Sequence, residues 1–286
     1  MNIAVMTDSN SGITQAQAKD LGVTVIPMPF TINHEAYEED INLTQDQFYQ
    51  LIRDENTEIL TSQPALGDLS KAWQKALEDH DAVIYIPMSS GLSGSCQSAT
   101  MLASDDEFEG KVFVLDTQRI SVTLRQNVYD ALELVKQGKT AQEIADILVS
   151  RKMDATIYIT VPTLTYLKRG GRITPAAATL GSLLKIKPIL TIQGEKLDKF
   201  EQARTMKKAR KIMIEAVKKD IAERHWDDYD LFVAYTEDKE QADDYIEEIE
   251  AAFNHPVNWV DPLSLSVACH IGPNSLALAA AKKYID

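Results

Sequence analysis

Short runs that are apolar throughout alternate with stretches of helical period, and that alternation restricts the possible folds more than any other feature. "NIAVMT", "VTVIPMPF", "DAVIYIPM", "KVFVLD" and "ATIYITVP" read as strands, and "TQDQFYQLIRDEN", "LGDLSKAWQKALEDH" and "ISVTLRQNVYDALELVKQG" read as helices between them. A strand with no polar face is covered on both sides, and one followed by a helix before the next strand pairs parallel to it. The class is α/β, with a mostly parallel sheet in the first half.

After Val161 the pattern changes. "KPILTIQGEKLDKFEQA" reads as two strands joined by a turn at Gly194, a hairpin and not a crossover. A long helix, the strand "DLFVAYT", the helix "KEQADDYIEEIEAAF", the strand "VNWVD" and a last helix "SLALAAAKKYI" follow. The expectation is two domains, an α/β unit over 1–150 and an α+β unit over 151–286.

With 44% hydrophobic and 25% charged residues, the chain has too much apolar material for disorder. Its formal charge of -14 argues against nucleic acid as a partner. The charge is uneven, however: from Lys168 to Lys219, 14 Lys and Arg stand against 4 Asp and Glu. That basic island is either the solvated face of an amphipathic helix, "EQARTMKKARKIMIEAVKKD", or a docking surface. No apolar run approaches the roughly 20 residues of a membrane span, and no signal peptide is visible, so a cytoplasmic location is expected. Cys96 and Cys269 lack the spacing of a zinc site and are expected as free thiols; no metal or cofactor is expected.

Hydroxyl-rich turns recur after the first-half runs: "TDSNSG", "TSQP", "SSGLSGS" and "DTQRIS". Ligands of open parallel sheets bind beyond the carboxyl ends of the strands, so these loops are expected to converge on one crevice. In "SSGLSGSC", Gly91 and Gly94 permit a tight turn and close approach of the backbone. Ser93 or Ser95 can cap the following helix, whose N-terminus favours an anion. Neither dinucleotide nor P-loop fingerprints occur. Two readings stay open. "GLSGS" lies one residue from the G-x-S-x-G nucleophile elbow, with Ser95 in place of the last glycine, so a serine hydrolase using Ser93 and His270 is the alternative. Otherwise the loop holds a carboxylate with hydroxyls, N–H groups and an imidazole, and performs no chemistry. His270, in "ACHIGPNSLAL", is placed by a Gly-Pro bend, and Cys269 beside it reads as a small buried hydrophobe.

"VMTDSNSGI", "LTSQPA", "SSGLSGSCQSA", "TLTYLKRGGRI", "SLLKIKPIL" and "HIGPNSLAL" together resemble, in order and spacing, the DegV family of bacterial fatty-acid-binding proteins over essentially the whole chain. The resemblance implies an α/β domain and an α+β domain enclosing one long-chain fatty acid at their junction. It also implies a non-catalytic, acyl-carrying subunit of a fatty acid kinase, which presents the carboxylate to a separate ATP-binding subunit and feeds phospholipid synthesis. By motif position the carboxylate falls to Thr61, Ser62, Ser93, Gly94, His270 and Gly272, with Arg172 and Arg204 near the head group or partner surface. The basic island would then dock to an acidic kinase surface or to an anionic membrane surface. The chain departs from the family's usual pattern at Asn274, in place of a glycine after Gly-Pro, and at Arg119 and Arg125. The small side chains of "TPAAATLGSLLKIKPIL" would leave room for the acyl chain.

Overall fold

The computed structural model describes residues 2–54, 57–179, 186–194 and 196–284. Four strands, β1 (Ile3–Asp8), β2 (Thr24–Ile26), β6 (Ala82–Ile86) and β7 (Val112–Val114), form an all-parallel sheet in the order β2-β1-β6-β7. Every residue of β6 is buried, as a central strand covered on both faces requires. A short helix (Ser9–Ser11) follows β1, and the helices α1 (Gln15–Leu21), α3 (Leu66–Leu77) and α4 (Ser95–Ala103) follow β1, a later strand and β6.

The chain between β2 and α3 does not continue the parallel sheet. The stretch read as one strand, "VTVIPMPF", is divided by Pro27 and Pro29, which cannot donate to a ladder. Its second part begins a three-stranded antiparallel sheet of β3 (Phe30–Ile32), β4 (Glu35–Tyr37) and β5 (Ile59–Thr61), with α2 (Gln45–Leu51) inserted. Phe30, Ile32, Phe48, Tyr49 and Ile52 from this excursion bury against Leu265, Ala268 and Cys269. That packing carries the end of β5 across to the second half of the chain.

After α5 (Ser121–Lys136) and α6 (Ala141–Ser150), the chain enters a six-stranded mixed sheet ordered β10-β9-β8-β13-β11-β12. Its members are β8 (Ala155–Thr160), β9 (Lys187–Ile192), β10 (Asp198–Ala203), β11 (Tyr229–Tyr235), β12 (Val257–Pro262) and β13 (Leu276–Lys282). β8 is antiparallel to both of its neighbours and is not a member of the first sheet, although its apolar run resembles β1 and β6. β9 and β10 form the hairpin expected around Gly194. The remaining helices are α7 (Thr165–Gly170), α8 (Pro175–Ala178), α9 (Met206–Glu223), α10 (Lys239–Phe253) and α11 (Leu265–Ile271).

The last expected helix is a strand. "LALAAAK" is β13, in the interior of the sheet between β8 and β11, and its first six residues are buried. Its alanines, good helix formers, pair in a ladder because α9 packs on one side of the sheet and α5 on the other. Ala277, Ala279 and Ala281 pack on the α5 side and Leu276 and Leu278 on the α9 side, so both faces are covered and the tertiary environment overrides propensity. α5 also packs against β1 and β6 and is thus the layer shared by the two large sheets. The main apolar core is continuous through it, from Val5 and Ile84 by way of Leu124 and Val128 to Phe232 and Ala279.

Candidate functional site

The ends of β1, β6 and β7, the end of β5, the β9–β10 hairpin and α11 meet around a cavity of about 210 Å³. Asn10 of "TDSNSG", Thr61, Ser62 and Gln63 of "TSQP", Leu92, Ser93 and Gly94 of "SSGLSGS", and Ile120 of "DTQRIS" line it, so all four hydroxyl-rich loops reach one crevice. Leu167, Arg172, Ile192, Leu197, Ser266, Val267, His270 and Ile271 contribute from the second half. Ser62 and Gly94 are exposed at its mouth.

At the polar end Thr61 Oγ1 and His270 Nε2 are 2.9 Å apart. β5 delivers the threonine and the penultimate residue of α11 delivers the imidazole; the two are joined by the packing of the small sheet on α11. Burial, with the Arg172 guanidinium as a second cause, lowers the His270 pKa to about 4, so the imidazole is neutral at pH 7. The ring lies against Gly170, where a Cβ would overlap Nδ1, and this close approach requires glycine. Arg172 is fixed by its own hydrogen bonds: Nη1 donates to the Gly170 carbonyl at 2.5 Å and Nε to the Leu92 carbonyl at 3.4 Å. The fixed cation at this end is therefore Arg172, while the histidine is a neutral hydrogen-bonding group.

The loop 89–95 behaves differently from its sequence. Gly94 has φ -72, and neither Gly91 nor Gly94 uses the left-handed region. Gly94 is itself the N-cap of α4, which has no side-chain cap bond; Ser93 Oγ accepts from the Ser95 amide at 3.2 Å. The loop is held from outside. The Ser89 hydroxyl donates to the Gly194 carbonyl at the tip of the β9–β10 hairpin, and the Ser90 hydroxyl donates to Asp116 at 2.5 Å.

"TDSNSG" is mostly scaffolding. The Asp8 carboxylate accepts from the Met88 amide at 2.8 Å and the Asn10 amide at 3.0 Å, which ties β1 to the loop after β6, and its burial raises its pKa to about 6. Asn10 reaches the cavity, its Oδ1 accepting from Ser266 at 2.6 Å and from Ser264 at 3.2 Å. Asn10, Gln63 and Ser266 escaped the sequence reading because each is an ordinary polar residue whose approach to the site depends on tertiary packing.

Beside the cavity, on the other side of Ile120, Ile192, Val267 and Ile271, lies a separate and wholly apolar recess of about 30 Å³. Ile157, Ile159, Leu263, Ala234, Ala277 and Ala279 close the recess. It runs between the six-stranded sheet and the start of α5. The segment "TPAAATLGSLLKIKPIL", residues 174–190, expected to give the chain its room, lies partly outside the described residues at 180–185, and none of its described residues lines the cavity or the recess.

Two of the expected site residues are elsewhere. Gly272 does not line the cavity. Its φ of +79 and its contact with the Tyr166 ring set the chain reversal after α11, and its carbonyl accepts from Thr236 at 2.8 Å. Arg204 is exposed between β10 and α9, away from the cavity. The departures from the expected pattern are structural. Asn274 has φ 57, a left-handed position that asparagine tolerates better than other side chains. Arg125 pairs with Asp261 at 2.5 Å and lies over the Trp259 ring, joining α5 to β12. Arg119 is buried and donates to the Arg151 carbonyl at 3.1 Å.

The geometry does not favour the hydrolase. His270 Nε2 is engaged by Thr61 rather than Ser93, and Nδ1 faces Gly170 rather than the carboxylate a triad needs. Cys96 and Cys269 are buried free thiols; burial raises both, Cys96 to about 12, which removes the thiolate that nucleophilic chemistry requires. Among the described residues no group of three His, Cys, Asp or Glu could hold a metal ion, and no helix is long and apolar enough to cross a membrane.

A cavity with a hydroxyl, imidazole and guanidinium end and an apolar interior, set between a parallel and a mixed sheet, has the polarity of an amphiphilic small molecule. The chain belongs to the DegV family: the family model described as "Uncharacterised protein, DegV family" matches residues 2–283. Protein DegV of Bacillus subtilis (strain 168) is 32% identical over 281 residues, spanning 97% of this chain and 98% of that protein. A DegV family protein of Thermus thermophilus, described as fatty acid binding, superposes with a TM-score of 0.89 at 32% identity, over 99% of this chain and all of the other. The structure of Bacillus subtilis DegV, described as a fatty acid binding protein, gives 0.87 at 31% identity over the same shares.

Proposed function

We propose that this chain binds one long-chain fatty acid, its carboxylate at the end formed by Thr61, Ser62, Ser93, Gly94 and His270 with Arg172 alongside, and its hydrocarbon along the apolar walls of the cavity formed by Met28, Met88, Leu92, Leu167, Leu197 and Ile271. The observation that carries this is the change of polarity across the cavity, from Thr61–His270 to the walls of Ile120, Ile192, Val267 and Ile271 that it shares with a neighbouring apolar recess. Each buried methylene contributes about 0.8 kcal/mol, so the hydrocarbon supplies the affinity. A carboxylate leaving water needs several donors, so the polar end supplies the orientation. An incoming carboxylate favours the arrangement in which Nε2–H donates to Thr61 Oγ1 and the Thr61 hydroxyl donates to the ligand. The same negative charge raises the His270 pKa above the value of about 4 that burial and Arg172 set.

On this reading the chain does no chemistry itself. It works in the cytoplasm as the acyl-carrying subunit of a fatty acid kinase, with 1–150 and 151–286 as the two units that enclose the ligand. A separate ATP-binding subunit phosphorylates the carboxylate at the mouth, and the acyl phosphate enters phospholipid synthesis. Lys207, Lys208 and Lys211, exposed together on α9, are placed to meet an acidic partner or an anionic membrane surface. Native mass spectrometry of the purified protein, followed by solvent extraction, tests the reading. A co-purified fatty acid supports it. A protein that neither carries nor takes up any fatty acid, or that is labelled at Ser93 by a fluorophosphonate, overturns it in favour of the hydrolase or another ligand.

A further inference from the structure

α11 supplies Ser266, Val267, His270 and Ile271 to the cavity, yet its N-terminus is not capped by its own sequence. Ser264, at the N-cap position, makes no cap bond and donates instead to Asn10 at 3.2 Å. The capping acceptor comes from the small-sheet excursion: Glu39 Oε2 accepts from the Leu265 amide at 2.7 Å. Gln45, the first residue of α2, holds the arrangement together, its Nε2 donating to Glu39 Oε1 at 2.6 Å and to the Leu263 carbonyl at 3.2 Å. The loop bearing Glu39 is itself knit by Asn42, which accepts from the Glu38 amide at 2.8 Å and donates to the Ala36 carbonyl at 3.3 Å. From Leu265 to His270 is about 8 Å along a helix rising 1.5 Å per residue, so a tilt or shift at the capped end is transmitted to the imidazole.

We propose that Glu39 is a positioning residue for the binding site: its carboxyl group, held by Gln45, accepts from the N-terminus of α11 whether ionised or not and thereby fixes the place of His270 against Thr61 and Gly170. The proposal rests on the fatty-acid reading only for the identity of the ligand. A stable fold does not by itself require an ionisable group there, since burial pushes the Glu39 carboxyl up to about 7, against the pull of the Leu265 amide and Gln45. The titratable groups around it are Asp40 beside it on the loop, Tyr49 of α2 and Cys269 of α11, of which Asp40 adds to the upward shift.

The test compares Glu39→Ala, Glu39→Gln and Gln45→Ala with the parent in two measurements. The first, on unliganded protein, is the titration of the His270 ring by NMR with labelled histidine. The second is the affinity for cis-parinaric acid, a fluorescent long-chain fatty acid, at pH 8. In the parent, His270 is expected to titrate well below the ordinary histidine range. Glu39→Ala is expected to move that midpoint upward, toward 6.5, and to weaken probe binding about tenfold. Glu39→Gln, which keeps an acceptor for the Leu265 amide, is expected to restore both, and Gln45→Ala to give a smaller change in the same direction. Should Glu39→Ala not fold, Gln45→Ala carries the comparison. An unchanged His270 titration in every folded variant overturns the proposal, whether or not binding falls. Failure of the parent to bind the probe overturns the fatty-acid reading, while the His270 titration still decides the role of Glu39.

Discussion

Single side chains at the polar end have separable roles. Thr61→Val removes the hydroxyl between His270 and the proposed carboxylate while keeping the β-branched shape. It is expected to weaken fatty-acid binding about tenfold, near 1.4 kcal/mol, with little change in melting temperature of the unliganded protein; a titration of both proteins checks it. His270 also makes a stability statement. Its folded pKa of about 4 lies below the ordinary 6.5, so between these values the unfolded chain takes up a proton that the folded chain refuses. The contribution is complete above pH 6.5 and is lost as pH falls through 4. Asp8 and Glu39, raised to about 6 and about 7, act in the opposite sense and partly mask it. The informative comparison is therefore between parent and His270→Asn: urea unfolding should show their stability difference moving in favour of the variant by about 2–3 kcal/mol from pH 7 to pH 4. A difference independent of pH would refute the buried neutral imidazole.

Among the elements, β13 and α9 show how one segment serves two demands. Ala277, Ala279 and Ala281 of β13 let α5 cover one face of the sheet while Leu276 and Leu278 pack with α9 on the other, and Ala277 and Ala279 also line the apolar recess. Ala279→Leu puts three more carbons into space that is already enclosed. It is expected to cost about 1–3 kcal/mol by overpacking and to shift the co-purified fatty acids toward shorter chains, which gas chromatography of the extract would reveal. In α9 the inward residues Ala209, Met213 and Val217 anchor the helix, and Arg210 is committed to Glu248 at 3.4 Å. Lys207, Lys208 and Lys211 have no such duty. Reversing all three to Glu should leave fatty-acid binding intact and weaken binding to the proposed kinase subunit. Partner affinity of the parent should fall between about 50 and 500 mM salt, where screening lengths drop below 10 Å. Indifference to both charge reversal and salt would remove α9 as the docking surface.

On the scale of the molecule, α5 is the shared layer, and the binding cavity lies where the two large sheets approach its N-terminus. Leu124 is fully buried in that layer. Leu124→Ala should cost about 2–5 kcal/mol, and the loss should appear as one cooperative transition because both sheets lean on the same helix. Separate melting of two parts in calorimetry would contradict this. A ligand held between the sheets adds to the same transition by mass action, so extraction of bound fatty acid should lower the melting temperature.

The sequence by itself determined the long helices and most of the covered strands, because these carry their burial pattern locally, while short elements such as β5, α7 and α11 carry too few residues to show a period. It also determined the hydroxyl-rich loops, since glycine and serine at strand ends are visible without a fold, and the six motifs that mark the family. It misread β13, where a run of leucine and alanine is equally good in a buried helix and a buried strand, and where only the helices on both faces decide. It read β8 in series with the strands of the parallel sheet, because an apolar run does not show which sheet it joins, although the expected boundary at 150 left it in the second unit. Tertiary structure alone decided that Thr61 meets His270 across 209 positions, that Gly272 shapes the backbone instead of lining the cavity, and that Arg204 points away from it. It also decided that Glu39 caps a helix more than two hundred residues away. Contacts of that separation leave no local pattern, since each partner is an ordinary residue until packing brings the other to it.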